Sequence, residues 1–352
     1  MSTSSTSSSS VTPLTLINNE HHIVLNNGNT LPTVGFGTWR CDVTKLEDAV
    51  YNAIKLGYRH IDAANLYKNE HITGKAIQRA IQDGLVTRKD LFITSKIAPT
   101  QMEPHLVRPT IEKSIADLGV DYLDLYITHW PYSIDSTCTV SPAPYSARLG
   151  YDKNRYMKVW REFEAAVEAG LVRNLGCSNM TAKKLHDIIE NCTIKPSIIQ
   201  NELHPCLQQN LLKQYCDHYG IVLTAYCPLG SPGRPDAYRN PGDPEILTQP
   251  IIIELGLKYN KTPAQIALRW ALQLGTVPLP RSTNLQRIEE NFGIYNWNLS
   301  PEDMQQIHTL DRTEKSIGRI MKGDNFQQEN LPWQAVWDEE WMNENVPKII
   351  GK

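Results

Sequence analysis

The chain has 352 residues, is 41% hydrophobic and 21% charged, and carries a formal net charge of −3. That is material for a large core in one or two domains, and it gives no reason to expect a nucleic-acid or membrane partner. No apolar run approaches the roughly 18 residues of a spanning helix, and the seven scattered cysteines form no Cys-x-x-Cys pair, so a reduced, cytoplasmic chain without a metal site is expected.

Residues 1–20 open with a serine-rich run and are expected to be a disordered extension; a transit peptide would carry arginine, and none precedes Arg40. His22–Leu25 and Leu31–Val34 flank Asn26-Asn27-Gly28-Asn29, which predicts a β-hairpin. Helical patterns follow at about 44–56, 70–83, 105–118, 155–169, 181–190, 208–219, 263–274 and 284–291. Short apolar runs lie around them at Tyr58–Ile61, Leu91–Thr94, Leu123–Thr128, Val172–Gly176, Ser197–Gln200, Ile221–Ala225, Val277–Leu279 and Phe292–Tyr295. Strands alternating with helices in this number predict an α/β fold, a (β/α)8 TIM barrel over residues 21–312 with the N-terminal hairpin covering one end. The long segments 131–154 and 229–250 are expected at the carboxyl-terminal face, and the tail 313–352 as a loop packed on the barrel.

A barrel site should draw on several strand ends. The first strand ends at Asp62, with Tyr67 five residues on, and the second at Lys96. The next end at His129-Trp130-Pro131, Ser178-Asn179, Gln200-Asn201, Tyr226-Cys227 and Arg281-Ser282. Each has a plain structural explanation when taken alone. Lys96 reads as a surface lysine, and His129, in parity with Leu123, Leu125 and Ile127, as a core histidine. Ser178-Asn179 before Thr181 reads as helix capping. Together, on one face, they point to a site.

The segments Gly57–Tyr67, Ile93–Lys96, Asp121–Pro131, Gly176–Asn179, Tyr226–Gly230 and Leu279–Ser282 resemble the aldo-keto reductase family in order and spacing, from about residue 22 to about 312. The resemblance implies a barrel that binds NADPH, with NADH possible, across its carboxyl-terminal face and without a Rossmann domain. Consistent with that, the one Gly-x-Gly, Gly35-Phe-Gly37, lacks a third glycine and opens no helix. It also implies a catalytic tetrad of Asp62, Tyr67, Lys96 and His129. Ser178, Asn179 and Gln200 would bind the nicotinamide carboxamide, with Tyr226 stacked on the ring. Gly37, Thr38, Trp39, Cys227, Leu229 and Ser231 would line the nicotinamide and pyrophosphate. Arg281, Ser282, Thr283 and Arg287 would surround the adenosine 2′-phosphate, and Glu290 and Asn291 would meet the adenine. Three positions depart from the family's habit: Arg281 for lysine, Cys227 for serine, and Gly233 where an acid often clasps the base at 281.

Hydride addition to a carbonyl leaves an alkoxide that needs a proton. A phenol, of reference pKa about 10, is a weak donor near neutrality. The Lys96 ammonium is expected to lower the pKa of Tyr67, with Asp62 holding the lysine and His129 orienting the carbonyl. The expected function is therefore NADPH-dependent reduction of an aldehyde or ketone (an aldose, sugar phosphate or small aldehyde) by a monomer or weak homodimer. Trp39, Tyr67, His129 and Trp130 would form the substrate pocket, and Trp333, Trp337 or Trp341 would close it or pack on the barrel's side. Two other classes stay open: a Schiff-base lyase using Lys96, and a catalytically retired nucleotide-binding module that serves a partner protein.

Overall fold

Glycine and asparagine between two short apolar runs do make a hairpin. In this computed structural model, which describes residues 21–140, 143–234, 242–312 and 338–351, β1 (His22–Val24) pairs antiparallel with β2 (Thr30–Pro32). The turn carries Gly28 at φ 87°, where a side chain would be strained. The serine-rich extension, Trp333 and Trp337 lie outside the described residues.

After the hairpin come β3 (Gly35–Gly37), α1 (Val43–Leu56), β4 (His60–Asp62), α2 (Glu70–Gln82), β5 (Phe92–Ile97), α3 (Pro104–Leu118) and β6 (Leu123–Thr128). An antiparallel pair, β7 (Ser133–Ile134) with β8 (Arg148–Gly150), sits inside the long segment that follows. Then come α4 (Lys153–Glu168), β9 (Val172–Ser178), α5 (Ala182–Ile189), β10 (Ile198–Glu202), α6 (Asn210–His218) and β11 (Val222–Tyr226). The chain continues through α7 (Pro250–Tyr259), α8 (Pro263–Gln273), β12 (Val277–Pro278), α9 (Leu285–Phe292) and α10 (Pro301–His308). One sheet runs β3-β4-β5-β6-β9-β10-β11-β12, with every neighbouring pair parallel. Gly37 N donates to Pro280 O at 3.0 Å, joining the end of β3 to the chain just past β12. The result is an eight-stranded parallel barrel with helices around it.

The number of strands matches expectation, but one member differs. Phe292–Tyr295 is not a strand: Phe292 ends α9, and its ring lies 4.7 Å from Tyr58 and 5.6 Å from Tyr295, outside the sheet. The eighth strand is Gly35–Gly37, which its glycines disguise. A Cβ on Gly35 would lie 2.5 Å from Leu279 Cδ2 and 2.7 Å from His60 Nδ1, so the seam of the barrel admits only bare backbone there. Helices α7 and α10, the β7–β8 pair and a C-terminal helix, Glu339–Ile349, were not expected from the pattern. The C-terminal helix packs on α5 and α6.

Burial explains which end is open to chemistry. Ile23, Leu25 and Leu31 of the hairpin join Phe92, Leu125, Ile127, Ile198, Val222, Val277 and Leu279 in one buried apolar cluster. The hairpin thus plugs the amino-terminal end of the barrel, and the polar strand ends are left at the other. Packing is tight enough that Gly176 has no room for a side chain, since a Cβ would lie 2.4 Å from the backbone oxygen of Ile198. Gly176→Ala should therefore destabilise the protein by about 2 kcal/mol or more, read as a lowered urea midpoint; an unchanged midpoint would contradict this packing.

Candidate active site

The site is built around the last residue of β4. Thr38, just past β3, donates to the Asp62 carbonyl from both its backbone N (3.1 Å) and its Oγ1 (2.9 Å), and Asn69 Nδ2 donates in turn to Thr38 O at 3.0 Å. A short 3₁₀ turn, Asn65–Tyr67, then carries Tyr67 back over the barrel mouth and ends on Lys68 at φ 58°.

Lys96, on β5, is fully buried and is no surface lysine. Its Nζ donates to Asp62 Oδ2 (2.7 Å), Ala63 O (2.8 Å) and Tyr67 Oη (3.3 Å), which occupies all three ammonium hydrogens. The other oxygen of Asp62 accepts from Gln200 Nε2 at 2.8 Å. β10 stands four strands from β4 in either direction around the barrel, so this bond crosses the interior. Sequence reasoning gave Gln200 only a cofactor role and missed this link. His129 follows β6, with its N bonded to Ile97 O at 3.1 Å, and its ring, largely buried with Nδ1 out of solvent, meets Tyr67 edge-on at 5.4 Å. Asp62, Tyr67, Lys96 and His129 therefore converge, and His129 is not a core histidine.

The electrostatics differ from expectation at Tyr67. Burial, and then the charge of Asp62, push the phenol well above its ordinary value. The Lys96 ammonium, 3.3 Å from the phenol oxygen and paired with Asp62, does not bring it below its ordinary value. Burial lowers Lys96 from the usual lysine range while Asp62 pulls it back up. His129 is held well below the usual histidine range, first by burial and then by Lys96. The resting site thus holds a protonated phenol beside a neutral imidazole.

Around this core the polar residues are engaged with one another. Ser178 Oγ donates to Gln200 O (2.6 Å), Asn179 Nδ2 to His129 O (2.8 Å), Tyr226 Oη to Asn179 Oδ1 (2.5 Å) and Ser231 Oγ to Cys227 Sγ (2.8 Å). Asn179, Cys227 and Ser231 all take positive φ, which turns the chain sharply at the ends of β9 and β11. Leu229 is half-buried and packs against Cys206, Ile246 and Ala267. Trp39 is half-buried, and Trp130 packs with Tyr132, Ile134 and Ala143. Trp341 does not reach the mouth; its ring lies 6.0 Å from His186 on the barrel's side.

Past β12, Arg281 and Arg287 are exposed, and neither makes an ion pair among the described residues. Ser282 Oγ accepts from Asn284 N at 3.0 Å, and Asn284 caps α9. Thr283 is half-buried, Asn291 is buried, and Glu290 accepts from Gln286. Two uncompensated guanidiniums at a helix amino terminus suit a phosphate dianion. No acid stands at Gly233. Instead Arg234, a residue the sequence reading passed over, is buried and donates to Gly230 O (2.8 Å) and Asp243 Oδ2 (3.0 Å). Among the described residues no group of histidine, cysteine and acidic side chains has the makings of a metal site.

A parallel barrel with an acid, a lysine, a tyrosine and a histidine at its carboxyl-terminal mouth defines a class of protein, and comparison with known proteins gives that class its family. Residues 33–312 match the model of the Aldo/keto reductase family. The chain is 38% identical over 303 residues to aldo-keto reductase family 1 member A1 of Sus scrofa and to that of Homo sapiens, in each case across 86% of this chain and 93% of the relative. Its fold matches a solved aldo-keto reductase of Bombyx mori in complex with NADP, with TM-score 0.77 and 33% identity over 87% of this chain and 96% of that one. It also matches an aldose reductase of Schistosoma japonicum, with TM-score 0.76 and 33% identity over 89% and 96%. The chain belongs to the aldo/keto reductase family.

The buried pair makes a stability prediction. Lys96→Met leaves the Asp62 carboxylate with one neutral amide and no cation, and should cost about 3–5 kcal/mol. A urea melt within about 1 kcal/mol of the parent would mean that the pair contributes little.

Proposed function

We propose that this protein reduces small aldehydes or ketones to alcohols with NADPH, and that Tyr67 is the proton donor. Membership of the family makes it an NAD(P)H-dependent carbonyl oxidoreductase that uses NADP(H). The observation that carries the finer reading is the bond from Lys96 to both Asp62 and Tyr67 at the open end of the barrel.

When bound, the nicotinamide supplies the hydride. His129, neutral and edge-on to Tyr67, orients the carbonyl oxygen by donating a hydrogen bond to it. Tyr67, protonated at rest, is ready to give its proton to the oxygen as negative charge grows there. The phenolate that would form sits 3.3 Å from the Lys96 ammonium, which compensates it only at that moment. A phenol with a raised resting pKa therefore remains a workable donor. Ser178, Asn179 and Gln200 would position the carboxamide, Tyr226 would face the ring, and Arg281 with Arg287 would hold the 2′-phosphate. Trp39 and Trp130 would wall the substrate. An aldose or a small aldehyde is the substrate class we favour, in keeping with the aldose reductase among the structural relatives.

A Schiff-base lyase is disfavoured, because its lysine must offer a free amine and Lys96 is buried with all its donors in use. All seven cysteines are free, which supports a reducing, cytoplasmic setting. No helix among the described residues is long and apolar enough to cross a membrane. We take the barrel, residues 21–312, to be the functional unit and to act as a monomer or weak homodimer.

Tyr67→Phe should lower kcat for NADPH-driven aldehyde reduction by at least about 10²-fold; near-normal turnover would remove Tyr67 from the mechanism. Arg287→Ala should raise KM for NADPH about tenfold while leaving NADH kinetics alone, since it removes one charge-assisted contact. An equal change with both cofactors would place Arg287 away from the 2′-phosphate.

A further inference from the structure

The end of the barrel plugged by the hairpin is not featureless. A cleft of about 510 Å³ opens there, where His22, Asn29 and Thr30 face the starts of β5, β6 and β9. Phe92 in its wall lies four residues before Lys96 on β5, roughly 13 Å of strand away. The cleft is thus separate from the site described above, and its volume lies in the range of small-molecule sites, about 300–1,000 Å³.

Its charge is unbalanced in a specific way. Arg59, Lys89 and Arg173 line it, together with Asp90 and Asp124. Both carboxylates are already engaged. Asp90 accepts from Thr87 N (2.7 Å) and Oγ1 (2.8 Å), and Asp124, 5% exposed, accepts from Arg88 Nη2 (2.7 Å) and Ile93 N (2.9 Å). The cations keep capacity to spare. Arg59 Nη1 is anchored on two carbonyls, Ile54 O (2.8 Å) and Tyr58 O (2.9 Å), so the guanidinium is fixed without a carboxylate bound to it. Arg173 lies over the Tyr122 ring at 3.7 Å, with Asp124 Oδ1 no closer than 3.7 Å. Lys89 is exposed and makes no ion pair among the described residues. A guanidinium anchored as that of Arg59 is loses little entropy when a ligand arrives, unlike an ordinary mobile surface charge. Beside these cations Pro32 supplies apolar surface, with Leu91 and Phe92 almost wholly buried behind it.

We propose that this cleft is a second ligand site, for a small organic phosphate. The phosphoryl group sits among Arg59, Lys89 and Arg173, and the organic body lies against Pro32. The test is calorimetric titration of phenyl phosphate into the full-length protein saturated with NADPH, which covers the arginines at the opposite face. Lys89 lies at the plugged end, so its effect reads the same whether or not the cofactor assignment holds. The expected result is saturable one-to-one binding that weakens with added salt and falls at least about tenfold in Lys89→Glu, from the loss of one attraction and the gain of one repulsion. Arg173→Gln should weaken binding similarly; Lys89, being exposed and unpaired, keeps the test open if that variant folds poorly. Absence of saturation up to about 10 mM phenyl phosphate, or equal binding by parent and Lys89→Glu, would overturn the proposal.

Discussion

The structure depends on one buried ion pair, Lys96 with Asp62. Placing two charges in a barrel interior is costly unless their hydrogen-bonding groups are satisfied. Here Lys96 uses all its donors, and Asp62 accepts from Lys96 on one oxygen and from Gln200 on the other. The backbone oxygen of Asp62 accepts twice from Thr38. One residue thus ties β4 to β5, to the exit of β3 and, across the interior, to β10. On the proposed reading, the rigidity that Tyr67 needs as proton donor comes from the arrangement that makes the buried charge tolerable.

That arrangement sets the state of Tyr67. If Lys96 stood alone, its charge would favour the phenolate more strongly, against the effect of burial. Paired with Asp62, it leaves the phenol protonated and pushed upward by burial. The ammonium is available 3.3 Å away when negative charge does appear. On the proposed reading, Asp62 serves two ends: it keeps the lysine charged, and it keeps that charge from acting too early.

The barrel was legible in the alternation of strands and helices, with Asp62, Lys96 and His129 among its strand ends; that these three and Tyr67 form one group was what the resemblance implied. Elements that owe their form to contacts across the barrel were not legible. Gly35–Gly37 reads as a loop, and only the crowding of Leu279 and His60 at the seam makes it a strand. Phe292–Tyr295 has the composition of a strand, yet Tyr58 gives Phe292 a better place on a helix. The raised pKa of Tyr67 was missed for a similar reason. The sequence places a lysine near a tyrosine, but it does not say which neighbour lies nearer to the lysine.

The cofactor end shows how a missing residue need not mean a missing function. With glycine at position 233, no acid there reaches over to cancel the charge at 281. The loop is held by a different device, Arg234 buried against Asp243 and the carbonyl of Gly230. An arginine that belongs to the loop's own ion pair leaves Arg281 unpaired among the described residues, with its full charge exposed to solvent. On the proposed reading, the grip on the 2′-phosphate then rests on exposed, unpaired cations rather than on a closed clasp. Such a grip weakens with ionic strength, and it releases its ligand without first breaking a salt bridge. On the same reading, discrimination between the two nicotinamide cofactors is a matter of surface electrostatics, while the chemistry rests on a pair that is almost wholly buried.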